Sequence, residues 1–287
     1  MPERNLVSWN SMIMGSFQSK LYEECFCRFR EVLREGFIFP DQASFSSMLS
    51  ACSKAGSLEV GKQVHGIGIK YGLKDLSYVN NSLIDMYIKC GFFCDAGKLF
   101  EMVAERDVIS WNVMLMGLVW NKNFEEVCAV FQAMRREGVL PDEASYSTVL
   151  NASADFASLV LGAVIHAHII KAGFTNTSHI QNSLIIMYAK CGSLPDACQV
   201  FEEIENRNTV CWCAMITSFQ QHGCAAEAAE TFEKMIGEGI KPNEITFVSV
   251  LPACAHAGCV TEGRAYFDSM AKMHDITPQT RALCLHC

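Results

Sequence analysis

The chain contains no apolar run approaching the ~18 residues that a bilayer span requires, so no segment reads as a transmembrane helix and no membrane partner is expected. It is short of positive charge: 23 Lys and Arg stand against 31 Asp and Glu, a formal net charge of −8. Phosphate affinity depends on clustered cations, so this balance argues against a purely electrostatic nucleic-acid binder and leaves any such role to local placement. No H-x-E triplet occurs at any histidine, which removes the proton-transferring helix of the zinc deaminases. C-x-x-C spacing occurs only at Cys284 and Cys287, with His286 between them, which is too few ligands for a closed zinc site. Gly66 and Gly68 lead to Tyr71 in place of the third glycine of a dinucleotide loop. No segment alternates in the manner of a strand between hairpin turns, and no signal peptide heads the chain. These absences argue against an autonomous hydrolase or deaminase, and no metal, cofactor or small-molecule substrate is expected.

What is present is repetition. Half of the residues are hydrophobic and 19% are charged, which excludes a disordered chain. The string NSLIDMYIKCG at 81–91 returns as NSLIIMYAKCG at 182–192, shifted by 101 residues. SFSSMLSAC at 44–52 becomes SYSTVLNAS at 145–153, and DVISWNVMLMG at 107–117 becomes NTVCWCAMITS at 208–218, at the same offset. A fixed period is the mark of a repeat array, so length counts repeats here rather than domains. The 15 cysteines include some that recur with the period, Cys90 with Cys191 among them, as small buried thiols of a reducing compartment would.

Each 101-residue block holds three sub-units, and each sub-unit has the apolar spacing of two successive helices. Leu83, Ile84, Tyr87 and Ile88 form one stripe. Ala96, Leu99, Phe100 and Val103 form the next, with Gly91 between them. In the following sub-unit Val127, Val130, Phe131 and Met134 repeat the plan, which stops at REGVLPD, where Gly138 ends a helix and Pro141 prevents its continuation. A helical hairpin cannot bury both faces alone, so an all-α, right-handed superhelical solenoid of stacked helix-turn-helix units, with sixteen helices, is predicted.

The VSWN, MYAKCG, LxxGKQVHG and EGxxPD strings, in units of 35, 35 and 31 residues, resemble the pentatricopeptide repeat proteins of plants, in their PLS subclass. The resemblance divides the chain into P 6–41, L 42–76, S 77–107, P 108–142, L 143–177, S 178–208, P 209–243 and L 244–279. Residues 1–5 look like the tail of a preceding S-type unit and 280–287 are a divergent tail, so truncation at both ends is expected. The resemblance implies binding of single-stranded RNA at one nucleotide per unit, as a specificity factor for editing or processing in the mitochondrion or chloroplast, with the chemistry supplied by partner proteins. A helical scaffold for protein partners is the competing reading, and the acidic balance suits it.

Ser8, Ser44, Ser110, Ser145 and Thr246 hold the third place of their units, which predicts N-caps there and a fifth residue inside the first turn. That fifth residue is Asn10, Asn81, Asn112 and Asn182 in four units and Ser46 and Ser147 in two others. These side chains either cap the helix or point outward to bond a ligand. The family resemblance implies that the fifth and last residues of a unit select one base together. Asn10 with Asp41, Asn81 with Asp107 and Asn112 with Asp142 then favour uracil, and Asn182 with Asn208 accepts either pyrimidine. Ser46/Leu76, Ser147/Thr177, Cys213/Asn243 and Val248/Gln279 depart from the code and receive no base, with Ser46, Ser147, Cys213 and Asn243 kept as weaker base-selecting candidates. The resemblance also implies that Val7, Ile109 and Val210 clamp a base between units, and that Lys54, Lys89 and Lys190, at the thirteenth place, meet phosphates. A lysine near a helix C-terminus can equally serve the helix dipole. Trp9, Trp111 and Trp212 lie beside the apolar stripe and read as core, and His65 and His166 read as structural.

Overall fold

The computed structural model describes residues 5–36, 39–73 and 76–274, with side chains to 270. Sixteen α-helices and no strand occur among the described residues. The odd-numbered helices are α1 (Leu6–Gln18), α3 (Gln42–Ala55), α5 (Ser77–Lys89), α7 (Val108–Trp120), α9 (Glu143–Asp155), α11 (Ser178–Lys190), α13 (Thr209–Gln221) and α15 (Glu244–Ala257). Their partners are α2 (Tyr22–Glu35), α4 (Leu58–Lys70), α6 (Phe93–Met102), α8 (Phe124–Arg136), α10 (Leu159–Ala172), α12 (Leu194–Glu202), α14 (Ala225–Gly237) and α16 (Val260–His274).

The chain divides into two bodies, Met1–Ser145 and Tyr146–Cys287. In the first, α1, α3, α5 and α7 each pack against the next, and each even helix packs on its own partner; α2, α4 and α6 also touch the odd helix that follows. The second body repeats the plan, with α11, α13 and α15 in one row. Phe45, Leu49, Ile84, Met86 and Trp111 lie in the core of the first body, and Trp212, Phe232 and Phe247 in that of the second. Trp9, Trp111 and Trp212 are all buried, which places them in packing rather than on the surface.

The helix starts differ from the sequence expectation. The cap is the residue before the helix, and the serine or threonine three residues later sits at N3. Asn5, Asp41, Asp107, Asn208 and Asn243 are the N-caps of α1, α3, α7, α13 and α15, and their side chains accept the N–H of Ser8, Ser44, Ser110, Cys211 and Thr246. Asp41 with Ser44 and Asn243 with Thr246 close full capping boxes. An ionised or amide oxygen at the helix N-terminus satisfies donors that the helix itself leaves open, so Asp and Asn prevail there while the N3 hydroxyl returns a bond to the cap backbone. The fifth residue of the unit therefore stands beyond the first turn and caps nothing.

Two further features recur with the period. Gly61 and Gly162 face Met86 and Met187 so closely that a Cβ at either glycine would overlap the methionine Sδ. A Gly162→Ala variant is expected to lose about 1 kcal/mol, because crowding of about 2 kcal/mol against a buried methionine exceeds the gain in helix propensity of about 1 kcal/mol. Denaturant unfolding reads this, and an unchanged or raised midpoint would contradict the close packing. His65 Nδ1 lies 3.0 Å from Tyr87 Oη and His166 Nδ1 lies 2.9 Å from Tyr188 Oη, and burial holds both imidazoles below the ordinary histidine range. Each tethers a second helix to the first helix of the next pair.

Candidate nucleic-acid interface

On an α-helix the second, fifth, ninth and thirteenth residues share one face. On α7 these are Ile109, Asn112, Met116 and Trp120; on α5 they are Tyr78, Asn81, Asp85 and Lys89. Because the odd helices of each body pack in a row, these faces are neighbours within it.

In three units the fifth and last residues meet through an amide–carboxylate hydrogen bond. Asn10 Nδ2 donates to Asp41 Oδ1 at 3.0 Å, Asn112 Nδ2 to Asp142 Oδ1 at 3.0 Å, and Asn81 Nδ2 to Asp107 Oδ1 at 3.5 Å. The amide oxygens of Asn10 and Asn112 accept in turn from the hydroxyls of Ser44 and Ser145. Burial works to raise the pKa of Asp41, Asp107 and Asp142. Hydrogen bonds from the N3 N–H, the asparagine amide and the N2 N–H, joined at Asp107 by the Ser110 hydroxyl, outweigh it, so all three carboxyls lie below the ordinary aspartate range. At neutral pH they are ionised acceptors. Their Oδ1 atoms accept the N3 N–H and the asparagine amide, and the N–H groups of Ala43, Ile109 and Ala144 also bond the carboxylates. The Asn10 and Asn112 amides each donate one N–H to the aspartate, which leaves the second N–H for another acceptor.

Asn182 and Asn208 share no side-chain hydrogen bond among the described residues, and the Asn208 oxygen accepts the Cys211 N–H at 3.0 Å. Cys213 keeps the geometry with weaker chemistry, its Sγ lying 3.4 Å from Asn243 Oδ1 and 3.0 Å from Thr246 Oγ1. Ser46 is buried, while Leu76 and Thr177 cap α5 and α11 without a side-chain bond to the helix, so these units lack the amide–carboxylate pair. Gln279, the Cys284–Cys287 pair and the tail lie outside the described residues, as do Met1–Arg4.

Val7, Ile109 and Val210 are 71%, 55% and 54% exposed, apolar side chains held in water at the second place. Tyr78 and Ile245 occupy the same place with similar exposure and were not singled out from the sequence, although their position one turn before the fifth residue marks them. Exposed Met116 and Trp120 extend the apolar face of α7. Of the lysines, Lys54 is exposed without an ion pair among the described residues. Lys89 is held by Asp85 at 2.7 Å, and Lys190 by Asp155, the thirteenth-place residue of the preceding unit, at 2.8 Å. No described helix is long and apolar enough to cross a membrane, and no cluster of three or more metal-ligating side chains occurs among the described residues.

A family description reading "PPR repeat family" matches residues 106–155 and 207–256, and one reading "PPR repeat" matches 7–37, 43–72 and 182–209, together well over half of the chain. The chain belongs to the pentatricopeptide repeat family. A chloroplastic pentatricopeptide repeat-containing protein of Arabidopsis thaliana is 37% identical over 97% of this chain and 33% of its own length. Two mitochondrial ones from the same plant are also 37% identical, over 96% and 97% of this chain and 40% and 46% of theirs. The chain thus spans less than half the length of these relatives. The crystal structure of the pentatricopeptide repeat protein PPR10 from maize superposes with a TM-score of 0.82 at 20% identity, over 99% of this chain and 41% of that one. PPR10 in complex with an 18-nt psaJ RNA element gives 0.77 at 17% identity, over 99% and 42%. At such identity the likeness shows the pentatricopeptide repeat fold alone.

Proposed function

We propose that this pentatricopeptide repeat chain carries eight units in P, L and S order over the intervals 6–41, 42–76, 77–107, 108–142, 143–177, 178–208, 209–243 and 244–279, and that it reads single-stranded RNA at one nucleotide per unit. The observation that carries the reading is the amide–carboxylate pair at one place in three units. In the Asn112 unit the second amide N–H meets a uracil carbonyl oxygen, and the carboxylate accepts the uracil N3–H. Where Asn208 replaces the carboxylate, its oxygen is occupied by the helix and its NH2 is free, so that unit donates to cytosine N3 or to a uracil carbonyl and takes either pyrimidine. The exposed second-place side chains, Val7, Tyr78, Ile109, Val210 and Ile245, supply apolar surface against the base faces.

With the RNA running 5′ to 3′ along the chain, the units read U-N-U-U-N-Y-N-N, where Y is a pyrimidine and N any base. The role is that of a specificity factor for RNA editing or processing in a mitochondrion or chloroplast, the compartments of the relatives, with catalysis supplied by other proteins. The paired lysines and the net charge of −8 favour a second reading, a scaffold for protein partners. Fluorescence anisotropy with the single strand 5′-UAUUAUAA-3′ separates the two. Replacing the uracils at positions one, three and four by guanine is expected to weaken binding by roughly tenfold or more for each well-read base. Equal affinity for both strands would favour the scaffold.

A further inference from the structure

The amides at the fifth place fall into two structural classes. In the P-type intervals both ends are held. Asn112 Nδ2 bonds Asp142, while Ser145 Oγ lies 2.6 Å from Asn112 Oδ1, closer than its 2.9 Å approach to Asp142 Oδ1. Asn10 has the same arrangement with Asp41 and Ser44. Turning either amide over would set its oxygen against the aspartate oxygen, acceptor against acceptor, so the network fixes which atom faces out.

In the S-type intervals the second hold is missing. Asn81 is 7% exposed, its Oδ1 is buried without a hydrogen-bond partner, and its amide reaches Asp107 only at 3.5 Å. The Ser110 hydroxyl, at the equivalent place, goes to Asp107 at 2.9 Å. Asn182 Oδ1 is likewise buried and unpartnered, and there the third residue of the next unit is Cys211, which has no hydroxyl.

We propose that the third-place hydroxyl of the following unit, Ser145 for Asn112 and Ser44 for Asn10, is a positioning residue that sets how sharply the preceding unit discriminates uracil from cytosine. The inference rests on the RNA reading above. A pinned amide offers only a donor, whereas an amide with a spare buried acceptor turns at lower cost and adapts to either pyrimidine. The hydroxyl does not touch the base. It acts through the amide that does.

The test is relative affinity for uracil and cytosine, at fixed salt, at the third base (Asn81) and the fourth base (Asn112), for the wild type, Ser145→Ala and Ser145→Thr. The wild type should prefer uracil by roughly tenfold at the fourth base and by only about threefold at the third. Ser145→Ala should bring the fourth-base ratio down to the third-base value and leave the third unchanged. Ser145→Thr, which keeps the hydroxyl as Thr246 does, should restore it. The N–H that Asp142 caps belongs to the backbone, so α9 keeps its cap in both variants. Should Ser145→Ala nonetheless fail to fold, Ser44→Ala at the first base and the wild-type comparison of third and fourth bases decide the same question. A folded Ser145→Ala with an unchanged fourth-base ratio, or equal wild-type ratios at the two bases, overturns the proposal while leaving RNA reading intact. A wild type blind to the fourth base overturns the RNA reading itself, and the proposal with it.

Discussion

An Asn112→Thr variant is expected to exchange uracil for guanine at the fourth base. Asp142 stays ionised and capped on Ser145 N–H, so under the proposed reading it still accepts from a base with a ring N–H at the centre of its pairing edge. Uracil N3–H and guanine N1–H both meet that demand, and the bulk of the fifth residue decides between them. Threonine is shorter and leaves room for a purine. A good base contact is worth about 1–3 kcal/mol, so relative affinity for the U and G versions of one strand should change by roughly tenfold or more. Both versions are measured at the same salt, where the phosphate contribution is common to them. An intact helical spectrum with unchanged preference would leave Asn112 a purely structural residue.

The largest loss of stability is expected from Trp111→Ala. Trp111 is 2% exposed, its ring meets Phe100 edge to face at 4.9 Å, and the Arg106 guanidinium lies 5.9 Å from it. Arg106 also donates to the carbonyls of Phe100 and Glu101 at the end of α6 and pairs with Glu137. Removing the indole opens a cavity at the centre of this group and should cost about 3–5 kcal/mol. In a repeat array much of that cost falls on neighbouring pairs, so the unfolding transition should broaden as well as shift. Denaturant titration by circular dichroism reads both, with RNA affinity of the folded fraction little changed. An unmoved midpoint together with weakened RNA binding would make Trp111 a base-stacking residue instead.

The helices were legible because apolar spacing such as Leu83, Ile84, Tyr87 and Ile88 depends on local geometry alone. The caps are not legible in the same way. In PDQAS and PDEAS both Asp and Ser are good capping residues, three apart, and the choice turns on which of them keeps extended backbone; Asp41 does and Ser44 is helical. Arg106 and Arg207 recur at the 101-residue offset, but their roles are not legible in sequence, since they require a helix end, an aromatic ring and a carboxylate brought together by folding. The ion pair of Lys190 with Asp155 is hidden for the same reason, because it joins the ends of two odd helices. The fifth-place and last-place residues could be named from the family resemblance. That Ser44 and Ser145 bind the amide oxygens, and that Asn81 and Asn182 lack this, could not, because it depends on how closely one pair approaches the next.

The most direct measurement is selection of the purified chain against a randomised single-stranded RNA library at fixed salt. Uracil should be enriched at the first, third and fourth places of an eight-nucleotide register and either pyrimidine at the sixth, with the third less sharply defined than the fourth. A pool that stays random, or one enriched in a pattern unrelated to the order of Asn10, Asn81, Asn112 and Asn182 along the chain, would contradict it.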